Sequence, residues 1–176
     1  MMIFFSAEAH LQFMDAYRKI YRFLPVELLL ISSVLFQVIS GVRLIWLKWN
    51  QVEFIWDRLQ IISGMYFIYF LVAHPAAVLA GRYVMKLDTN LYYGAAVLNV
   101  NPLLYFFVFH YGLAIIAFFT HVACVHRKRM DRYCSAQQAT YQSMFMIGVG
   151  IVLSVLLVYN MMGIFIPPEY LRPYEL

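Results

Sequence analysis

Charge is scarce in this chain. Asp, Glu, Lys and Arg make up 12% of the 176 residues, about half the share found in soluble domains. Cysteine is scarcer still: Cys124 and Cys134 form no C-x-x-C pair, so neither a zinc site nor a dithiol redox motif is predicted. An iron–sulfur cysteine set, a flavin or nucleotide fold, internal repeats and low-complexity tracts are all missing. The N-terminus lacks the charged, apolar, then small pattern of a cleaved leader, so none is predicted there.

The apolar share, by contrast, is 64%, and mean hydropathy is +0.72. A small domain cannot hide so much apolar surface from water. Disorder is excluded too, because disordered chains are poor in apolar residues. The expected class is all-α: an integral membrane four-helix bundle in a single domain over 1–176, led by an N-terminal amphipathic helix. Four apolar runs reach the roughly 20 residues needed to span a bilayer: about 24–47, 59–81, 103–125 and 143–166. They are called helices A to D. Pro25 and Pro102 suit helix starts, and Pro167-Pro168 suits a stop.

Residues 1–22 mix Phe5, Leu11, Phe13, Met14, Tyr17, Ile20 and Tyr21 with Glu8, Asp15, Arg18, Lys19 and Arg22. That pattern fits a helix lying on the membrane surface, or a polar lead-in to helix A. The net charge of +4 bears on topology and not on nucleic acid. Arg127-Lys128-Arg129 directly follows helix C, which places the A–B and C–D loops inside and both termini outside. Arg18, Lys19 and Arg22 pull the other way.

Ionisable groups inside a span are costly and usually face the bundle interior. Here they are mainly histidines: His74 in helix B, His110 and His121 in helix C. Neutral imidazole is a good axial ligand for haem iron. His74 lies seven residues before Gly81, and His110 seven after Leu103, so antiparallel neighbours would bring both to one depth. His110 and His121 are eleven residues apart, nearly three full turns, hence on one face and roughly 16 Å apart. Helix B carries Ser63 and Gly64, not a histidine, opposite His121. Ser40, Gly41, Ser63, Gly64 and Gly112 leave room for a flat macrocycle, or serve close helix packing.

At helix B the run Asp57-Arg58-Leu59-Gln60-Ile61-Ile62-Ser63-Gly64 precedes His74, ten residues after the glycine. This resembles the motif opening a haem-ligating helix in the cytochrome b subunits of the succinate dehydrogenase and fumarate reductase (complex II) superfamily. Phe118-Phe119-Thr120-His121-Val122-Ala123, then His126-Arg127-Lys128, is similar to that family's returning helix. The resemblance implies His74 and His121 as axial ligands. Helix A repeats the pattern as Gln37-Val38-Ile39-Ser40-Gly41-Val42-Arg43, with Gln37 where a ligand histidine would be expected. Pro75 follows His74 directly and predicts a kink at that ligand.

The expected function is a membrane anchor with one or two b haems, passing electrons between a partner protein and membrane quinone. His74, His110 and His121 are the candidate iron ligands; Arg58, Gln60 and Ser63 are the quinone candidates. Flavoprotein and iron–sulfur subunits, or another donor, would be the partners, in a bacterial or mitochondrial inner membrane. Three ligation schemes stay open: His74 with His110; His121 and likewise His74 each with its own copy across a homodimer; or His121 with Gln37 or a residue of another chain. Two other classes compete, a haem-free accessory subunit of a respiratory complex and a small sensor or transporter moving protons through its histidines.

Overall fold

A computed structural model describes residues 6–174, and those residues contain helices and no strand. Seven α-helices follow in order: α1 Ala7–Tyr21, α2 Leu24–Lys48, α3 Ile55–Tyr83, α4 Leu91–Ala96, α5 Leu103–Met130, α6 Ala136–Met162 and α7 Pro168–Leu171. Four of them, α2, α3, α5 and α6, are long and apolar enough to cross a membrane. That is the architecture of an integral membrane protein. Large side chains on these helices face outward, as with Phe36, Ile39, Trp46, Phe109 and Phe145. Lipid replaces water as their surroundings, so no hydrophobic penalty attaches to them.

Helices A, B and C coincide with α2, α3 and α5, the latter two somewhat longer than expected. Helix D differs more. It spans Ala136–Met162, starting and ending earlier than the apolar run suggests. The early start is set by a capping box. The Ser135 hydroxyl accepts from the Gln138 amide at 3.2 Å, and the Gln138 side chain accepts from the Ser135 amide at 3.1 Å. The helix therefore begins on a polar turn ahead of its apolar stretch. Pro75 lies inside an unbroken α3.

Contacts divide the chain into two compact units, and each long helix gives residues to both. Unit 1 takes the residues up to Phe36, Ala73–Phe109 and those from Leu157 onward. Its core is Ala95, Ala96, Ile166 and Tyr170. Asn90 organises it: its side chain caps α4 by accepting from Tyr92 and Tyr93 amides, and donates to the Tyr170 hydroxyl at 2.8 Å. Asp88 accepts from Arg18 and from Arg22, the latter at 3.0 Å. Thus Arg18 of α1 and Arg22 at its C-terminal cap turn inward, while Phe13, Tyr17 and Ile20, one helical face, stay exposed. Arg82 pairs with Glu27, joining α3 to α2. Gly81 admits the Tyr93 ring, which a Cβ would meet at 2.6 Å, and the Tyr93 hydroxyl donates to the Ala77 carbonyl at 2.7 Å.

Unit 2 takes Gln37–Val72 and His110–Leu156. Small residues bring its helices together. A Cβ on Gly41 would meet Ile68 at 2.9 Å, one on Gly64 would meet His121 at 3.3 Å, and one on Gly150 would meet Phe119 at 2.5 Å. Two buried hydroxyls stitch α6 to α5: Ser143 donates to the Ala123 carbonyl and Ser154 to the Gly112 carbonyl, both at 3.0 Å. Both devices are common between helices in lipid, where packing and hydrogen bonding replace the hydrophobic drive.

Candidate functional site

The site is built in unit 2 around His121. Its Nδ1 lies 3.2 Å from the backbone carbonyl of Gln60. A carbonyl can only accept, so Nδ1 carries the proton and Nε2 keeps the lone pair. This is the arrangement that prepares a histidine to bind a metal through Nε2. Gly64 makes the approach possible, because the His121 ring edge occupies the space a larger side chain would take.

His121 lines a cavity of about 360 Å³, a size within the range of cofactor sites, about 300–1,000 Å³. One wall comes from α2, with Gln37, Gly41, Leu44, Ile45 and Lys48 at helical spacing. The other comes from α3, with Gln60, Gly64, Phe67, Ile68 and Leu71. His121 reaches in from α5 past Gly64. Gln37, Leu44 and Lys48 are exposed, so the cavity opens along α2.

A smaller polar pocket, about 170 Å³, shares Lys48 and Gln60 with this cavity and adds Asp57 and Lys128. The Lys128 ammonium sits 2.7 Å from the Asp57 carboxylate and also donates to the Gln60 side-chain oxygen. Beside it, the Arg127 guanidinium stacks over Trp56 at 5.2 Å. The sequence reading missed Asp57, Lys128 and Lys48 as one cluster. A Lys and an Asp that are 71 positions apart carry no local signal; only the α3–α5 pairing joins them.

The other predicted residues fall as follows. His110 is buried in unit 2 among Tyr66, Tyr69, Phe70 and Tyr111, with ring centroids 5.5–6.5 Å away. The Tyr66 hydroxyl donates to the His110 carbonyl at 3.0 Å and lies 3.3 Å from Nδ1. With that proton used, Nδ1 donates back to the Tyr66 oxygen. His74 is exposed on the part of α3 that belongs to unit 1, and His110 belongs to unit 2. Gln37 and His121 share one cavity. Of the quinone candidates, Gln60 lines both cavity and pocket, and Arg58 is exposed. Ser63 is buried and its hydroxyl donates back to the Leu59 carbonyl at 2.6 Å, a bond within its own helix.

Searches against models of known protein families, curated proteins and solved structures find no match for this chain.

Proposed function

We propose that this chain is the haem b-binding membrane anchor of a complex-II-like oxidoreductase, passing electrons between a partner protein and membrane quinone. One observation carries the reading. His121, its Nδ1 held by the Gln60 carbonyl, lines a mostly apolar cavity beside glycines on two further helices.

The residues present fit a haem. His121 Nε2 would supply an axial nitrogen, and the Gln60 carbonyl fixes its tautomer and ring angle. Gly41 and Gly64 let Ile68 and the His121 ring pack close against α2 and α3. Leu44, Ile45, Phe67, Ile68 and Leu71 exclude water, and Lys48 offers a cation to the carboxylates of such a group. When bound, haem supplies one-electron redox chemistry, while the protein sets ligand, polarity and access. Quinone carbonyls would find donors at the adjoining polar pocket, where Gln60 and Lys128 meet. The exposed Phe13, Tyr17 and Ile20 of α1 would rest in the membrane interface, where amphipathic helices bind. The host membrane would be a respiratory one, and the donor would be flavoprotein and iron–sulfur subunits.

Purification in detergent from haem-replete cells, followed by dithionite reduction, tests this. A sharp b-type α band that disappears in His121→Ala supports it. A colourless preparation sinks it and favours a haem-free accessory subunit.

A further inference from the structure

The cations where α5 ends fall into two groups. Lys128 is bound to Asp57 at 2.7 Å, and Arg127 pairs with Asp131 at 3.6 Å and stacks over Trp56. Arg129 and Arg132 are exposed, and among the described residues neither has an ion pair or a side-chain hydrogen bond. They are held one turn apart, because the Arg132 amide bonds back to the Arg129 carbonyl at 3.4 Å. Both line a pocket of about 220 Å³ with Gln60, Val125 and Lys128, and no carboxylate lines it. Lys128 has three donors and uses two, on Asp57 and on the Gln60 side-chain oxygen. With that oxygen engaged, the Gln60 amide keeps its NH2 group to donate. The pocket is therefore rich in donors. With Lys128 neutralised by Asp57, two guanidiniums remain, against about half a negative charge at the α5 C-terminus. That surplus matches one singly charged phosphodiester.

The same face of α5 continues as an apolar stripe. Phe118, Val122, Val125 and Arg129 recur at i, i+4, i+7 and i+11, within about 40° of one line along the helix. The three apolar side chains are exposed. Trp56, beside Arg127, marks the level of the membrane interface, where tryptophan gathers. Two guanidiniums at that level, next to an apolar stripe on a membrane-spanning helix, match the headgroup and chain of a phospholipid in their order. We propose that the pocket of Gln60, Lys128, Arg129 and Arg132 binds one anionic phospholipid, its phosphate between the two arginines and an acyl chain along Val125, Val122 and Phe118. Guanidinium forks suit phosphate oxygens, and basic pockets between membrane helices take anionic headgroups. This goes beyond the electron-transfer reading and does not rest on it, since that reading gives Arg129 and Arg132 no part.

The test uses the full chain in detergent micelles. Native mass spectrometry counts bound lipid while phosphatidylglycerol or phosphatidylcholine is titrated in. The expected result is one phosphatidylglycerol held per chain in preference to phosphatidylcholine. Arg129→Gln is expected to weaken that binding about fivefold, and Arg129→Gln with Arg132→Gln about twenty-five-fold. Both side chains are exposed, so the helices should pack as before, and circular dichroism checks that they do. Arg43→Gln removes another exposed charge of unit 2, outside the pocket, and is expected to leave the affinity unchanged. Inorganic phosphate in large excess is expected not to displace the lipid, because it brings no chain for the apolar stripe. Equal retention of the two lipids overturns the proposal, as does unchanged binding in the double variant. An equal loss in Arg43→Gln overturns it by reducing the effect to diffuse surface charge. Displacement by inorganic phosphate overturns it by making this a site for the free anion. All of this is read on colourless and haem-bearing protein alike. A colourless chain that still holds the lipid therefore fails only the haem reading, and a haem-bearing chain indifferent to the lipid fails only this one.

Discussion

The two units of this chain are held by different chemistry. In unit 1, charged and polar side chains do the joining: Asp88 with Arg18 and Arg22, Glu27 with Arg82, Asn90 with Tyr170. In unit 2, glycines and hydroxyls do it, at Gly41, Gly64, Gly150, Ser143 and Ser154. Unit 1 contains α1 and the α3–α5 connection, outside the four membrane-spanning helices, where water can hydrate whatever an ion pair leaves unsatisfied. Most of unit 2 comes from membrane-spanning helix, where charge is expensive and close packing is the available glue. Unit 2 also keeps a polar cluster at one cavity and its neighbouring pocket, where Gln60, Lys48, Asp57, Lys128 and His121 meet. The lesson is that paired charge joins the elements of unit 1, while in unit 2 it is found beside the candidate site.

If unit 2 depends on close packing, its glycines should be the least replaceable residues. Gly150→Ala is expected to cause the largest loss, about 2–3 kcal/mol, because the added carbon would meet Phe119 Cβ at 2.5 Å. That neighbour is the first side-chain atom and cannot swing away. Gly148→Ala, two residues earlier, meets nothing within 4 Å and should stay within about 0.5 kcal/mol of wild type. Reversible unfolding in detergent or bicelles compares them. Equal stabilities would break the close α5–α6 contact. Gly64→Val probes the site in the same way, since even an alanine there would press His121 at 3.3 Å. On the haem-anchor reading proposed above, the expected outcome is loss of most bound haem, measured per protein, with the helical content kept.

Unit 1 should answer to charge instead. Asp88→Ala removes the carboxylate that Arg18 and Arg22 share, leaving Arg18 only Asp15, and is expected to loosen α1 by about 1 kcal/mol. Hydrogen exchange over Leu11–Tyr21 would report it. Burial alone would raise the Asp88 carboxyl, but the hydrogen bonds and charges of Arg22 and Arg18 outweigh it and hold the carboxyl below its ordinary value. The sign follows from linkage. A depressed folded-state value contributes stability above the unfolded carboxylate value of about 3.9, and that stability is lost as pH falls further. Protection of α1 should therefore fade below about pH 4 in wild type, and show no such step in Asp88→Ala. Gly150→Ala should leave this titration untouched.

The spans were readable because apolar length is a strong, local signal. The Ser135–Gln138 capping box was equally present in the sequence, and it decides where α6 begins. Hydropathy alone places helix D over its apolar stretch, without this polar first turn. The site was readable only in pieces. Gln37, Gly41, Gln60, Gly64 and His121 all drew notice singly, from helical spacing and from the family resemblance. Their convergence on one cavity depends on which faces of α2, α3 and α5 meet, and hydrophobic periodicity says little about that when helices are apolar all round. The burial of His110 among four aromatic rings was hidden for the same reason. The inward turn of Arg18 and Arg22 had no local signal either, because Asp88 lies 66 to 70 residues away.

The smallest expected effect belongs to the serines that stitch α6 to α5. Ser143 and Ser154 are both buried, yet each donates to a carbonyl that helix geometry already supplies with an amide. Replacing either by alanine removes a second bond to that oxygen and strands no donor. The loss should be close to the membrane average for such bonds, about 0.6 kcal/mol each. The two serines are three turns apart, about 16 Å, so the double variant should lose the sum. A double variant that loses far more than the sum would mean that α5 and α6 separate once both stitches are gone, and unit 2 would then rest on hydrogen bonds more than on its glycines. A sum that holds, beside a much larger loss in Gly150→Ala, keeps the contrast between the two units: steric fit in one, paired charge in the other.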